Sequence, residues 1–176
     1  VKEVYKKLVT KVGSLGAGLS TTWKAWEFHA EGLYSHSFDG RDDSYLNYVV
    51  GLTYTIDDTA KLIGLDQINS TFEVAGEWVN EYQSIGIQSS RHTRIGRRDI
   101  FTLINFKYDE DLSFVYMNNL DFIFGGTYNR FEVQYRIMED LTSKVAVELF
   151  DGTVLGGYYG RFLRNDRGIF ELEYSF

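Results

Sequence analysis

The chain has 176 residues, enough for one domain, and carries neither Pro nor Cys, so a disulfide framework and thiolate chemistry are excluded. Its net charge of −7 at pH 7 argues against a nucleic-acid partner, because phosphate binding needs clustered Lys and Arg. Aromatic residues make up 16% of the chain, yet no apolar run approaches the roughly 20 residues of a membrane-spanning helix, which excludes a helical membrane protein.

The first residues of the chain have a helical period. Val1, Val4 and Leu8 stand on one side of such a helix and lysines on the other, which predicts a short amphipathic helix over residues 1–13. From that point the period of the apolar residues changes to 2. We therefore divide the chain into a helix, 1–13, and a strand domain, 14–176.

Nine segments of alternating pattern follow, each close to the roughly 9 to 11 residues with which a tilted strand crosses a bilayer. A single helical turn is predicted between the third and fourth segments, within 59–65. The predicted strands are 15–23, 26–36, 45–56, 70–82, 98–108, 112–121, 128–137, 144–150 and 168–176.

Short and long connections alternate along this series. The shorter ones are 24–25, 57–69, 109–111 and 139–142, and the long polar ones are 37–44, 83–97, 121–127 and 151–167. Outer-membrane barrels alternate in this way between periplasmic turns and external loops. The pattern therefore predicts an all-β fold, an antiparallel up-and-down transmembrane β-barrel with about 8 to 10 strands in this chain.

The predicted number of strands is odd. Nine strands that end on the short-turn side must begin on the opposite side, whereas bacterial single-chain barrels have even strand numbers and both termini in the periplasm. We expect this chain to be the C-terminal part of a larger barrel, and the alternative is a miscount by one.

Alternation also predicts the two faces of each strand. Phe28, Leu52 and Phe131 stand on an apolar face, and the residues between them are mostly polar. A soluble lipocalin-like barrel has the same period with its apolar residues inside, so the period alone does not separate the two classes. Aromatic residues near strand ends favour the membrane, because their rings prefer the headgroup level; these are Trp23, Trp26, Tyr34, Tyr45, Tyr54, Trp78, Tyr82, Tyr108 and Tyr128.

The predicted water-facing positions are mostly acidic. A ladder of salt bridges that fills a closed lumen explains them, and so does a ring of charge that favours cations in a pore. A site for a specific ligand is the third interpretation. The predicted lumen residues are Glu27, Glu31, Glu73, Glu77, Lys107, Glu132, Arg136, Glu148, Glu171 and Glu173.

The last strand has apolar or aromatic residues at alternate positions, Phe170, Leu172, Tyr174 and Phe176, and ends on an aromatic residue. This pattern resembles the C-terminal assembly signal of bacterial outer-membrane proteins. The resemblance implies that the chain resides in the bacterial outer membrane and that the barrel-assembly machinery is a partner. In its strand organisation the whole chain resembles porins and substrate-specific channels.

We therefore expect an outer-membrane porin or substrate channel that passes small solutes through a lumen lined by Glu and Arg. The alternative is a small non-conducting outer-membrane barrel with a structural, adhesion or scaffolding role, alone or with other protein chains. Lipid is an expected partner, and so is lipopolysaccharide, because loop arginines such as Arg91, Arg94, Arg161 and Arg164 suit its phosphates.

No catalytic, cofactor or metal site is predicted. His29 and Ser35 lie on one predicted strand with Glu31, but six residues along a strand span about 20 Å, so His29 cannot activate Ser35. We therefore expect no enzyme activity.

Overall fold

The structure is a computed structural model that describes residues 11–38, 43–81, 98–152, 159–162 and 164–175. Its strands form where β-branched and aromatic residues alternate with polar ones, as a pleated sheet with two different faces requires. The strands are β1 (Val12–Trp23), β2 (Trp26–Ser37), β3 (Ser44–Ile56), β4 (Gln67–Glu81), β5 (Arg98–Lys107), β6 (Leu112–Asp121), β7 (Gly126–Met138), β8 (Leu141–Asp151) and β9 (Arg167–Tyr174).

These strands form one antiparallel sheet in which spatial order equals chain order, from β1 to β9. Each strand pairs with the next one along the chain, through eight antiparallel ladders. The predicted all-β, up-and-down organisation with nine strands is therefore confirmed. In the described part of the chain β1 and β9 are the two edges of the sheet, with no ladder between them. Closure into a barrel stays a prediction.

The predicted N-terminal helix lies mostly outside the described residues, which begin at Lys11. Its predicted end at Gly13 is wrong, because Val12 and Gly13 already belong to β1 and pair with Ser37 and His36 of β2. The helical turn predicted within 59–65 is found slightly earlier, as α1 (Asp58–Lys61).

The connections lie at two ends of the sheet. The short-turn end carries those between β1 and β2, β3 and β4, β5 and β6, and β7 and β8, and the other four lie at the long-loop end. The segment 82–97 between β4 and β5 lies outside the described residues. The prediction of a long loop at 121–127 is wrong, since only four residues separate β6 from β7.

Local hydrogen bonding explains this tight turn. The Oδ1 atom of Asp121 accepts hydrogen bonds from the backbone N–H groups of Ile123, at 2.8 Å, and Phe124, at 3.1 Å. Gly125 then has a φ of 66°, in the left-handed region that glycine enters at little cost. Asp and Gly are the residues with which such turns are built.

The ladders give the sheet two continuous faces. On what we call the apolar face, Phe28, Leu52 and Phe72 pair across β2, β3 and β4. The same row continues through Thr102, Asn118 and Asn129 to Leu149, and a neighbouring row carries Phe114, Val133 and Val145 on β6–β8. The opposite positions form the polar face, which carries the predicted lumen residues. Facing residues of an antiparallel pair lie on the same side of a sheet, so this assignment follows from the register alone.

Apolar side chains are not gathered in a core. Among the described residues, Ala60, Ala146 and Tyr159 are the buried hydrophobic ones, whereas thirty large hydrophobic side chains are exposed. In β7 and β8 the buried positions include Glu132 and Glu148, on the polar face. The sheet is therefore inverted relative to a water-soluble domain, whose polar residues face outward.

Candidate functional site

The polar face is the candidate functional site. All ten predicted lumen residues lie on it, because the ladders connect their positions from β2 to β9. Glu73 pairs with Gly51, Lys107 with Gln67 and Glu148 with Arg167, and each of these partners is also on the polar face. These residues therefore share one face of the sheet, and their role in a lumen stays a prediction.

Glu148 on β8 is the centre of a charged network. Its carboxylate is almost completely buried, with 3% of the residue exposed. Oε1 accepts hydrogen bonds from the Tyr128 hydroxyl at 2.8 Å and from Nη1 of Arg130 at 2.9 Å, and Oε2 accepts one from Nε of Arg167 at 2.6 Å. A buried carboxylate is stable when it is paired in this way with cations and hydrogen-bond donors.

The network continues along β7 towards the short-turn end. Glu132, which is also buried, accepts hydrogen bonds from Arg130 and Gln134. Because Arg130 binds both carboxylates, it links Glu132 to Glu148 within one ladder. On the neighbouring strands, Nζ of Lys144 lies 2.6 Å from Oε2 of Glu173. Of the three interpretations of the charged residues, a salt-bridge ladder describes the contacts on β7, β8 and β9.

Three cations of this network were not among the predicted lumen residues: Arg130, Lys144 and Arg167. The first two have a sequence signal, because Arg130 lies two residues before Glu132 and Lys144 four residues before Glu148, on the same face in each case. Arg167 was assigned to a loop, but it is the first residue of β9. The sequence pattern predicts that the last strand begins at residue 168, one residue after its observed start at Arg167.

Arg136 lies near the short-turn end of β7. Its Nε donates a hydrogen bond to Oδ1 of Asp111 at 2.8 Å, and its Nη2 lies 3.7 Å from Oε2 of Glu110. Both acidic residues belong to the turn between β5 and β6. Arg136 therefore connects two neighbouring turns at the rim of the polar face.

A second polar contact crosses three strands. His29 of β2 and Glu73 of β4 both pair with Gly51 of β3, and Nε2 of His29 lies 3.1 Å from Oε1 of Glu73. A Cβ atom on Gly51 would come within 2.5 Å of Nε2 of His29 and 2.7 Å of Cγ of Glu73. The contact between β2 and β4 exists because the residue between them has no side chain.

His29 is not joined to Ser35 in a catalytic group. The hydroxyl of Ser35 lies 3.0 Å from that of Ser14 on β1, whereas the imidazole of His29 contacts Glu73. Among the described residues, no group of three or more His, Asp or Glu side chains is arranged to hold a metal ion.

The remaining carboxylates on the polar face are more accessible. Glu27 and Glu31 on β2, and Glu171 on β9, are exposed. Acidic groups near both edges of the sheet, on β2 and β9, are therefore accessible to solvent, while the acidic groups of β7 and β8 are paired with arginines.

The middle of the polar face is apolar. Leu103 pairs with Met117 across β5 and β6, and Phe101 and Val115 continue this patch, all of them on the side that carries the charged residues elsewhere. The polar face therefore carries Glu on β2 and β4 and both Glu and Arg on β7–β9, whereas the centres of β5 and β6 carry neither. Periodicity alone does not distinguish the two faces at these centres, because apolar residues lie on both.

A short 3₁₀ helix, Tyr159–Phe162, covers part of the polar face at the long-loop end. The Tyr159 ring stacks on Tyr128 with the ring centres 6.1 Å apart, and Phe162 lies 5.8 Å from Phe150. Because Tyr128 and Phe150 lie on the polar face, the helix Tyr159–Phe162 lies over that face. A cavity of about 750 Å³ remains beside it, lined by Glu148, Arg164, Asn165, Asp166 and Arg167 together with these aromatic residues.

No protein-family model matches this chain, and neither a curated protein nor a solved structure is significantly similar to it.

A functional proposal is therefore based on the chemistry and geometry of the described residues. None of the helices in the described residues is long and apolar enough to cross a membrane. The sheet has a broad apolar face and a polar face with both paired and exposed charges. The 3₁₀ helix Tyr159–Phe162 lies over the polar face at the long-loop end.

Proposed function

We propose that the chain forms part of the wall of a channel in the bacterial outer membrane, a porin or substrate channel that passes small hydrophilic solutes along the polar face. The observation that carries this proposal is the inverted burial of β8. Along Val145–Leu149 exposed and buried residues alternate, with Val145, Val147 and Leu149 exposed and Ala146 and Glu148 buried. A strand with this pattern is stable where hydrocarbon covers its outer side.

The extent of the apolar face supports a lipid environment. Each Val, Leu, Ile or Phe side chain that remains in water forgoes about 1.5–3 kcal/mol of burial free energy. Twenty-two exposed side chains in the described residues are Val, Leu, Ile or Phe, so a stable water-soluble sheet is not expected, since exposed apolar patches of that extent are rare on soluble proteins. Lipid tails would cover the same side chains and keep them out of contact with water.

Aromatic residues near both ends of the apolar face support the membrane proposal. At the short-turn end Trp26 stacks on Tyr54 with ring centres 4.2 Å apart, and the Tyr174 ring is exposed on β9. At the other end Trp78 is 67% exposed. Aromatic rings at two levels of the wall would anchor it at the two headgroup regions.

The polar face would set the selectivity of the channel. Carboxylates that are paired with arginines on β7–β9 contribute little net field, whereas the exposed Glu27 and Glu31 leave negative charge facing the solute path. Such a surface favours cations over anions. The 3₁₀ helix after β8 would narrow the mouth at the long-loop end.

The expected assembly route and partners also belong to this proposal. Phe170, Leu172 and Tyr174 are exposed on the apolar face of β9, where the barrel-assembly machinery could bind them, and Phe176 lies outside the described residues. The exposed Arg161 and Arg164 lie at the long-loop end, where lipopolysaccharide phosphates would meet them.

Cysteine labelling tests the membrane location, since the natural chain has no cysteine. Val133→Cys and Gln134→Cys are neighbours on opposite faces of β7. In isolated outer membranes, a water-soluble maleimide should label Gln134→Cys and leave Val133→Cys unmodified until detergent is added. Equal labelling of both positions would overturn the membrane proposal.

Conductance then tests the channel. The chain is purified from outer membranes together with any polypeptide that accompanies it, and the complex is added to a planar bilayer. Discrete conducting steps with cation preference are expected, and Glu27→Gln with Glu31→Gln should reduce that preference. If a correctly inserted complex does not conduct, the channel proposal is wrong and the alternative, a structural or scaffolding barrel, is favoured.

A further inference from the structure

The two edges of the sheet run in the same direction. All eight ladders are antiparallel and join consecutive strands, so every odd-numbered strand runs from the long-loop end to the short-turn end. β1 and β9 are both odd-numbered. A ladder between them would be parallel, unlike every other ladder of the sheet.

A second copy of the chain does not solve this problem. Copies in one membrane share their orientation, so β9 of one copy would meet β1 of the next in parallel as well, and so would any other pair of free edges. This step rests on the proposed membrane location. Antiparallel closure requires strands that run in the opposite direction at both free edges.

The exposure of the edge strands argues against a narrow nine-stranded barrel. In a closed barrel of about eight strands, side chains fill the interior. Here β1 is exposed along almost its whole length on both faces, and the polar-face residues Glu31 and Glu171 near the two edges are exposed too. The opposite walls that would bury them are therefore not supplied by this sheet.

We propose that the two free edges bind an odd number of further β-strands, supplied by polypeptide that is not a second copy of the described sheet. An odd number is required because the added run must begin and end with strands antiparallel to β9 and β1. Those strands would alternate apolar residues towards lipid with polar residues towards the polar face, as the sheet does itself.

The chemistry of each edge specifies the strand that fits it. On β9 Glu173 is already paired with Lys144, whereas Glu171 is exposed on the polar face. The adjacent strand should therefore carry Lys or Arg opposite Glu171, because like charges in facing positions are destabilising. On β1 the corresponding positions include Gly16 and Gly18, which leave room for large side chains on the neighbouring strand.

Engineered cysteine pairs in isolated outer membranes test this proposal. The control pair is Ser14→Cys with Ser35→Cys, on paired positions of β1 and β2 whose hydroxyls lie 3.0 Å apart. The test pairs combine Gly18→Cys on β1 with Ile169→Cys, Glu171→Cys or Glu173→Cys on β9, which covers the registers of a direct seam. Spin labels on residues 18 and 171 add a distance measurement.

We expect an efficient disulfide in the control pair and none in the test pairs, within or between chains. The spin-label distance should exceed about 15 Å if at least three strands intervene, because neighbouring strands lie about 4.8 Å apart, whereas a single added strand places the labels about 10 Å apart. A disulfide within one chain would overturn the proposal in favour of nine-strand closure, and one between chains in favour of an assembly of copies.

This result is independent of conduction. A chain that fails the maleimide test but forms the control disulfide refutes the membrane proposal and leaves the sheet intact. A chain that passes the maleimide test and forms a β1–β9 disulfide refutes the proposed additional strands alone.

Discussion

Glu148 is the residue on which the charged network of β7, β8 and β9 depends. It accepts hydrogen bonds from Tyr128, Arg130 and Arg167, and its carboxylate is buried. Two of these donors are cations that would lose a partner together. The stability of three strands is therefore concentrated in one side chain.

Replacing Glu148 by Ala should be destabilising. Arg130 keeps Glu132 as a partner and Arg167 is largely exposed, so the loss comes mainly from the donors of Tyr128 and Arg130 that lose their acceptor, about 1–3 kcal/mol. The matched control is Glu173→Ala, which removes an exposed carboxylate paired with Lys144, with an expected loss of about 0–1 kcal/mol. Urea unfolding in detergent micelles, followed by tryptophan fluorescence, measures both changes. Equal midpoints for the two variants would contradict this prediction.

Gly51 has a different role, because its lack of a side chain leaves space for the contact between His29 and Glu73. An added Cβ atom would separate His29 from Glu73.

Gly51→Ala should therefore destabilise the sheet by about 1–3 kcal/mol, the range for overpacking a filled site. Gly168→Ala on β9 is the control, because a Cβ atom there meets nothing within 4 Å. The same unfolding experiment compares the two variants, and nitrogen chemical shifts of the His29 ring report the lost contact. An unchanged His29 spectrum in Gly51→Ala would show that the neighbours move aside without loss of the pair.

At the scale of single residues, the sequence could predict which face a carboxylate occupies but not its partner. Glu132 and Glu148 follow from a period of 2, which is a local property of one strand. The link between them through Arg130, and the approach of Arg167 from β9, depend on the register between strands. Register is set by turns and strand boundaries over the whole hairpin, which the pattern locates only approximately.

Among the elements, β7 shows most directly how a strand separates two environments. Phe131 and Val133 are exposed on the apolar face, while Glu132 between them is buried on the polar face. One residue of displacement along the strand would exchange the two environments for every side chain.

Arginine substitutions at neighbouring positions of β7 test this separation. Val133→Arg should lower the free energy of unfolding by about 2–4 kcal/mol, the cost of Arg near the middle of a bilayer on the lipid side of a barrel. Gln134→Arg places the same charge on the polar face, beside Glu132 and opposite Lys144, and should cost about 1 kcal/mol or less. Unfolding in lipid vesicles measures both. A large loss for Gln134→Arg and none for Val133→Arg would reverse the assignment of the faces.

All nine strands could be predicted from alternation, because a sheet with two different faces imposes a period of 2 on each strand. The long loop predicted at 121–127 was wrong because its residues are turn formers in either case. Asp121 and Gly125 occur equally in long loops and tight turns, and the hydrogen bonds from Ile123 and Phe124 to Asp121 form only in the folded turn.

For the whole molecule, the 3₁₀ helix after β8 is the element that lies over the polar face. Tyr159 is 7% exposed, packs against Gly126 and stacks on Tyr128. This aromatic contact holds the helix against the polar face.

Tyr159→Ala should release the connection from the polar face. We expect faster trypsin cleavage after Arg161 or Arg164 in isolated membranes and a larger single-channel conductance of the purified complex, because the mouth is less obstructed. Asn165→Ala in the same connection is the control and should change neither. Cleavage rates that stay equal in both variants would show that the aromatic stack does not hold this segment.

The identity of spatial order and chain order has a consequence for how such a wall can change its size in evolution. Because every ladder joins consecutive strands, contacts are local in sequence, and a hairpin can be inserted or removed as a unit with little disturbance elsewhere. Each such event adds or removes two strands and leaves the direction of all others unchanged. The sheet can therefore widen by duplication in steps of two strands, while its two edge strands keep the same direction.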